Sequence, residues 1–97
     1  MKVISNNIFT KRFPHLDIHG ETYATADIII KDFINDNIKM KNKNIVIVHG
    51  KGSGVLKQKV HNILAKDHRI ASFKLDNYNL GCTIIELKIE LKIDKKS

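Results

Sequence analysis

The stretch Ile45-Val46-Ile47-Val48-His49-Gly50-Lys51-Gly52-Ser53-Gly54-Val55-Leu56 decides how the rest of the chain is arranged. Four consecutive β-branched apolar residues predict a strand buried on both faces. The strand runs into a loop with glycine at 50, 52 and 54, and Val55, Leu56, Val60, Ile63 and Leu64 then recur at helical spacing. Strand, glycine loop and helix bring backbone N–H groups and the positive end of a helix dipole to one point. Glycine permits positive φ there and lets an anion come close. His49 and Lys51 add a titratable ring and a fixed charge, so a phosphate fits; the same glycines also suit a plain strand-to-helix turn. Two well-known phosphate loops are excluded. The P-loop ends in Gly-Lys-Ser/Thr, a triplet this chain lacks, and the dinucleotide fingerprint needs glycine where Val55 stands.

The 97 residues allow one domain, and 42% apolar residues are enough for one modest core. A formal net charge of +7 favours polyanionic partners, nucleic acid first. From Lys39 to Lys59 there are six lysines and no acidic residue, and the glycine loop lies inside that tract. No apolar run is long enough to span a bilayer and the N-terminus has no apolar signal core, so a soluble, cytoplasmic protein without a membrane partner is expected. Cys82 is the only cysteine, which excludes a disulfide framework and a thiolate metal cluster.

Residues 1–13 are of mixed polarity and read as an N-terminal arm or an extra edge strand, with Pro14 marking the start of the domain proper, 14–93. Leu16-Asp17-Ile18-His19 reads as a short strand stopped by Gly20. Alternation puts Leu16 and Ile18 on one face, Asp17 and His19 on the other. A carboxylate and an imidazole so placed can act together, the acid orienting or charging the ring; an ordinary polar edge strand has the same pattern. Thr22 suits an N-cap. Ala26, Ile29, Ile30, Phe33 and Ile34 then form one apolar helix face ending near Met40. A second helix runs from Val55 to about Lys66. In it His61 faces away from the apolar stripe and receives no role, and His68 beyond its end suits the helix dipole. Ile70 to Leu75 is a third strand candidate, Asp76 to Gly81 a loop by its turn residues. Ile85, Leu87, Ile89, Leu91 and Ile93 alternate with charged residues as a strand with one wet face, followed by a disordered tail over 94–97.

The order is βαβαββ. Right-handed crossovers put both helices on one face of a mixed four-stranded sheet, an α/β two-layer sandwich. Parallel strands end together, so Asp17-x-His19 and His49-Gly50-Lys51-Gly52 are expected at one rim, where α/β sheets bind ligands.

These residues resemble the Smr (small MutS-related) domain family. Leu16-Asp17-Ile18-His19-Gly20 is similar to its Leu-Asp-x-His-Gly motif, with Thr22, Ala26 and Phe33 matching the helix that follows. Ile47 to Lys57 is similar to its second motif, His-Gly-x-Gly-x-Gly-x-Leu-Arg, with Lys57 in the arginine place. Gly81-Cys82-Thr83 resembles its closing Gly-Ala-Thr. The likeness covers about residues 14 to 91. It implies a fold similar to the C-terminal domain of translation initiation factor three, and nucleic-acid binding with nicking or endonuclease activity. Members stand alone or close MutS-like proteins tied to recombination control or to stalled ribosomes. Carried over by position, the implied functional residues are Asp17, His19, His49, Gly50, Lys51 and Gly52. With the residues around them, Asp17, His19, His49 and Lys51 are the candidate catalytic residues, and Gly50, Gly52, Ser53, Gly54, Lys57 and Tyr78 the candidate nucleic-acid contacts. One departure stands beside the site: Tyr78-Asn79 replaces the family's usual Gly-Gly. Tyr78 either stacks on a splayed base or narrows the site.

Two functions follow, with a small-anion or nucleotide site on the same loop as a remoter third. In the first, the chain is an endonuclease hydrolysing phosphodiesters of RNA or DNA. The loop amides and Lys51 hold the scissile phosphate, and His19 or His49 moves the proton. Asp17 orients a histidine or binds a divalent cation, Mg2+ or Mn2+, with water; one carboxylate is thin for a metal site, which favours orientation. In the second, the chain is a non-catalytic module, docking on RNA, DNA or the ribosome. A monomer is expected in either case.

Overall fold

The computed structural model describes residues 12–52 and 54–89. The arm expected over 1–13 therefore lies outside the described residues save for its last two, as do Ser53 and the end of the alternating strand beyond Ile89.

The elements are β1 (His15–Asp17), α1 (Tyr23–Lys39), β2 (Asn44–Val48), α2 (Val55–Lys66), β3 (Ile70–Asp76) and β4 (Asn79–Leu87), the βαβαββ order expected. The sheet order is β1-β2-β4-β3; β1 runs parallel to β2, and β4 antiparallel to both of its neighbours. Ile45 and Ile47 of β2 and Ile85 and Leu87 of β4 face the helices. They pack with Ala26, Ile30 and Ile34 of α1 and Val60 and Leu64 of α2 in one buried cluster. Each fully buried aliphatic side chain of this kind contributes about 1.5–3 kcal/mol.

Local chemistry sets the ends of α1. Thr22 Oγ1 accepts the Thr25 N–H at 3.1 Å, which satisfies one of the orphan donors of the first turn. At the other end the buried Asn37 donates to the Phe33 carbonyl at 2.8 Å and accepts from the Asn42 side chain at 2.9 Å. The Asn42 N–H also returns to the Asn37 carbonyl. Lys41, in the left-handed region at φ 61°, lets the chain reverse there.

Three expectations change in the structure. β1 ends at Asp17 rather than His19: Ile18 still donates to the Val48 carbonyl at 2.8 Å, but the backbone then turns through Gly20 at φ +90°. The loop expected from Asp76 to Gly81 is a tight hairpin, with only Asn77 and Tyr78 between β3 and β4. Asp76 Oδ1 accepts the Tyr78 N–H at 2.9 Å and Asn79 Oδ1 the Gly81 N–H at 3.0 Å, so the turn-forming side chains close the hairpin instead of opening a loop. Finally, the lysine tract does not gather around the glycine loop. Lys39, Lys41 and Lys43 lie at the start of β2 and Lys51 and Lys57 beyond its end, with the five residues of the strand between. Lys43 is 3.5 Å from Glu86, and Lys59 reaches Asp27 at 3.9 Å while sitting over the Tyr23 ring.

Candidate functional site

Because β1 and β2 are parallel, with Asp17 opposite Val48, their carboxyl ends open on one edge. β4 starts at that same edge, and α2 begins just beyond the glycine loop. The Gly81 carbonyl accepts the N–H groups of both His49 and Gly50, at 2.8 and 2.9 Å. This fastens the loop to β4. The approach is close: a Cβ on Gly81 would stand 3.3 Å from the Gly50 backbone, a tight contact. Gly50 itself takes φ +88°, and a Cβ on it would meet His19 Cβ at 3.5 Å. The two motifs are neighbours at the level of the backbone.

Their side chains divide between the two faces of the sheet. Asp17 is aligned with Val48, on the side away from the helices, and both Asp17 and His19 are exposed. Asp17 Oδ1 accepts the His19 backbone N–H at 3.1 Å and the Nδ1–H of its ring at 2.6 Å. The hydrogen bond to the carboxylate raises the His19 pKa above its ordinary value, and the same bond lowers that of Asp17. With Nδ1 engaged, Nε2 is the nitrogen left for another partner, on an exposed ring whose orientation the acid fixes. His49 has the parity of Ile47, so its ring goes under the helices and is buried. Its Nδ1 lies 2.9 Å from the Gly50 carbonyl oxygen and its Nε2 2.8 Å from Thr83 Oγ1. Both nitrogens of His49 are thus used inside the protein.

The remaining expected residues lie around this edge. Lys51 and Gly52 are exposed in the loop; Gly54, at φ +87°, is the N-cap of α2; Lys57 is half-buried in the first turn of α2. Tyr78 is exposed at the tip of the hairpin. Ser53 is outside the described residues. Sequence reasoning missed His61 and Thr83 as members of the site. His61 Nε2 is 2.9 Å from Thr83 Oγ1, and its ring packs edge-on against Phe73. No local pattern marks that contact, because its partners come from β3 and β4.

Among the described residues no three His, Cys, Asp or Glu side chains come together as a metal cage, and one oxygen of Asp17 is already committed to His19. These residues do not fit a resident divalent ion, and no step is assigned to one. A groove of about 690 Å3 lies elsewhere, between the helices, lined by Tyr23, Asp27, Lys59, Ile63, His68 and Arg69. Its two acids are paired, Asp27 with Lys31 and Lys59 and Asp67 with Arg69, and Lys66 adds a further cation to its lining. Among the described residues no helix is long and apolar enough to cross a membrane.

The pair makes a direct prediction. In an NMR titration the His19 ring of the intact protein should titrate above the ordinary histidine value, since the carboxylate favours the charged ring. In Asp17→Asn the midpoint should fall back toward that value. Equal midpoints in the two proteins would show that the carboxylate does not act on the ring.

Comparison with known proteins agrees with the fold. The Smr domain model matches residues 16–88. Endonuclease MutS2 of Halothermothrix orenii is 37% identical over 78 residues, which cover 77% of this chain and 10% of the relative. Endonuclease MutS2 of Thermotoga maritima is 36% identical over 77 residues, 76% of this chain and 10% of the relative. The chain thus spans about a tenth of the length of the curated relatives it matches. Among solved structures, the Smr domain of Thermus thermophilus MutS2 superposes with a TM-score of 0.74 at 26% identity, covering 76% of this chain and 96% of that one. YdaL, a stand-alone small MutS-related protein from Escherichia coli, shares the fold with a TM-score of 0.73 at 16% identity, covering 76% of this chain and 63% of its own.

Proposed function

The chain belongs to the Smr domain family, and on that premise we propose that it binds nucleic acid and acts as an endonuclease on phosphodiester bonds of RNA or DNA. The observation that carries this reading is the exposed Asp17–His19 pair, its Nδ1–Oδ1 bond 2.6 Å long, set against the Gly50 turn. The names of the relatives, endonucleases of which this chain matches about a tenth, support it.

In this reading the loop N–H groups around Lys51 and Gly52, with the Lys51 ammonium, hold the scissile phosphate and stabilise charge that grows on its oxygens. His19, kept protonated to higher pH by Asp17, gives a proton from Nε2 to the departing oxygen. Asp17 holds the ring in place. The nucleophile is the neighbouring 2′-hydroxyl on RNA and water on DNA: its oxygen bonds to phosphorus as the bond to the departing oxygen breaks, its proton passes to solvent, and solvent reprotonates His19. Tyr78 stands exposed beside the loop as a surface for an unpaired base.

The test is to incubate the purified protein with end-labelled single-stranded RNA and, separately, duplex DNA, each with and without EDTA. Discrete fragments are expected. A retarded but intact nucleic acid would favour the alternative, a binding module without chemistry. Free and intact nucleic acid would contradict both.

A further inference from the structure

The buried hydroxyl of Thr83 lies between two imidazoles, 2.8 Å from His49 Nε2 and 2.9 Å from His61 Nε2. A hydroxyl has one proton and two lone pairs, so it donates to at most one of the two rings. The far side of His49 decides which. Nδ1 of that ring faces the Gly50 carbonyl at 2.9 Å, and a carbonyl only accepts, so Nδ1 carries hydrogen. In a ring that carries a single proton, Nε2 is then the acceptor. Thr83 O–H donates to it, and the Thr83 oxygen accepts Nε2–H from His61. Burial lowers the His61 pKa, which agrees with a neutral donor. One proton arrangement satisfies the whole row.

The row ends on the glycine turn. The carbonyl of Gly50 and the N–H of Lys51 belong to one planar trans peptide and point in opposite directions. Drawing the carbonyl inward onto His49 turns the Lys51 N–H the other way, away from that buried ring. We propose that His61, Thr83 and His49 form a positioning relay that fixes the Gly50–Lys51 peptide, so that the Lys51 amide is presented as a donor to a phosphodiester oxygen. The ligand class rests on the reading of this edge as a nucleic-acid site; the relay itself does not. His61 and Thr83 are positioning residues: they touch no substrate and act through His49.

Long-range 1H–15N spectra of histidine-labelled protein test the relay with no ligand present. The expected result is His49 protonated at Nδ1 and His61 at Nε2. Thr83→Val keeps the shape of the buried side chain but removes the bridge. It should shift the Lys51 amide resonance and weaken binding of a single-stranded oligonucleotide about tenfold, while Thr83→Ser should stay within about twofold of the parent. His61→Phe, which keeps the ring contact with Phe73, should move the same amide. A His49 ring protonated at Nε2 in the parent protein would overturn the relay, as would an unmoved Lys51 amide in folded Thr83→Val. Correct tautomers in a protein that binds no oligonucleotide would uphold the relay and overturn the reading of the edge.

Discussion

Replacing His19 with alanine should reduce phosphodiester cleavage by about 10²–10⁴-fold, the usual contribution of a positioned acid or base, with melting temperature and affinity for uncut substrate preserved. The separation of effects follows from where the residue sits. His19 is exposed, its polar partner is Asp17, and it contributes nothing to the apolar cluster. Alanine also retains the Cβ that lies against Gly50, so the turn has no reason to move. Asp17→Ala should lower cleavage as well, because it frees the ring and removes the charge that keeps it protonated. Cutting at the parental rate in either variant would take proton transfer away from this pair. A parallel loss of affinity and rate would instead make His19 a binding contact.

The second large effect concerns the strand that carries the glycine loop. Ile47 is fully buried and lies between Leu16 of β1 and Thr83 of β4. Ile47→Ala should cost about 2–5 kcal/mol, against about 0.5–1.5 for Ile47→Val. For a domain of this size each kcal/mol lowers the melting temperature by about 4–8 °C. Small domains have only about 5–15 kcal/mol of stability in total, so the alanine variant loses a large share of it. The measurement is thermal unfolding of the three proteins side by side. A shift of only a degree or two in Ile47→Ala would mean that β2 is not the centre of the core.

Much of this architecture was legible in the chain because the relevant signals are local. The β-branched run of β2, the stripe Ala26-Ile30-Ile34 and the alternation through Ile85 and Leu87 each report burial through their own spacing, and all reappear in the core. The meeting of Asp17-x-His19 with the glycine loop was legible too, since it follows from parallel strands ending together. What escaped depends on partners distant in sequence. The inward turn of the His49 ring is fixed by Thr83, and His61 gains its place from Thr83 and Phe73. The basic tract looked continuous because a linear count ignores the strand that divides Lys39, Lys41 and Lys43 from Lys51 and Lys57. The hairpin after Asp76 reads as a loop in sequence because turn-forming residues signal a reversal without showing how soon pairing resumes.

The most direct test of the account maps a single-stranded oligonucleotide onto the 15N-labelled protein by its amide shifts, under conditions where nothing is cut. The amides of His19, Gly50, Lys51 and Gly52 should move together along one titration curve, while those at the far end of the sheet, around Lys41 and Lys43, stay still. Shifts confined to the far end, or to the groove lined by Tyr23 and Lys59, would place the nucleic acid elsewhere and contradict the account.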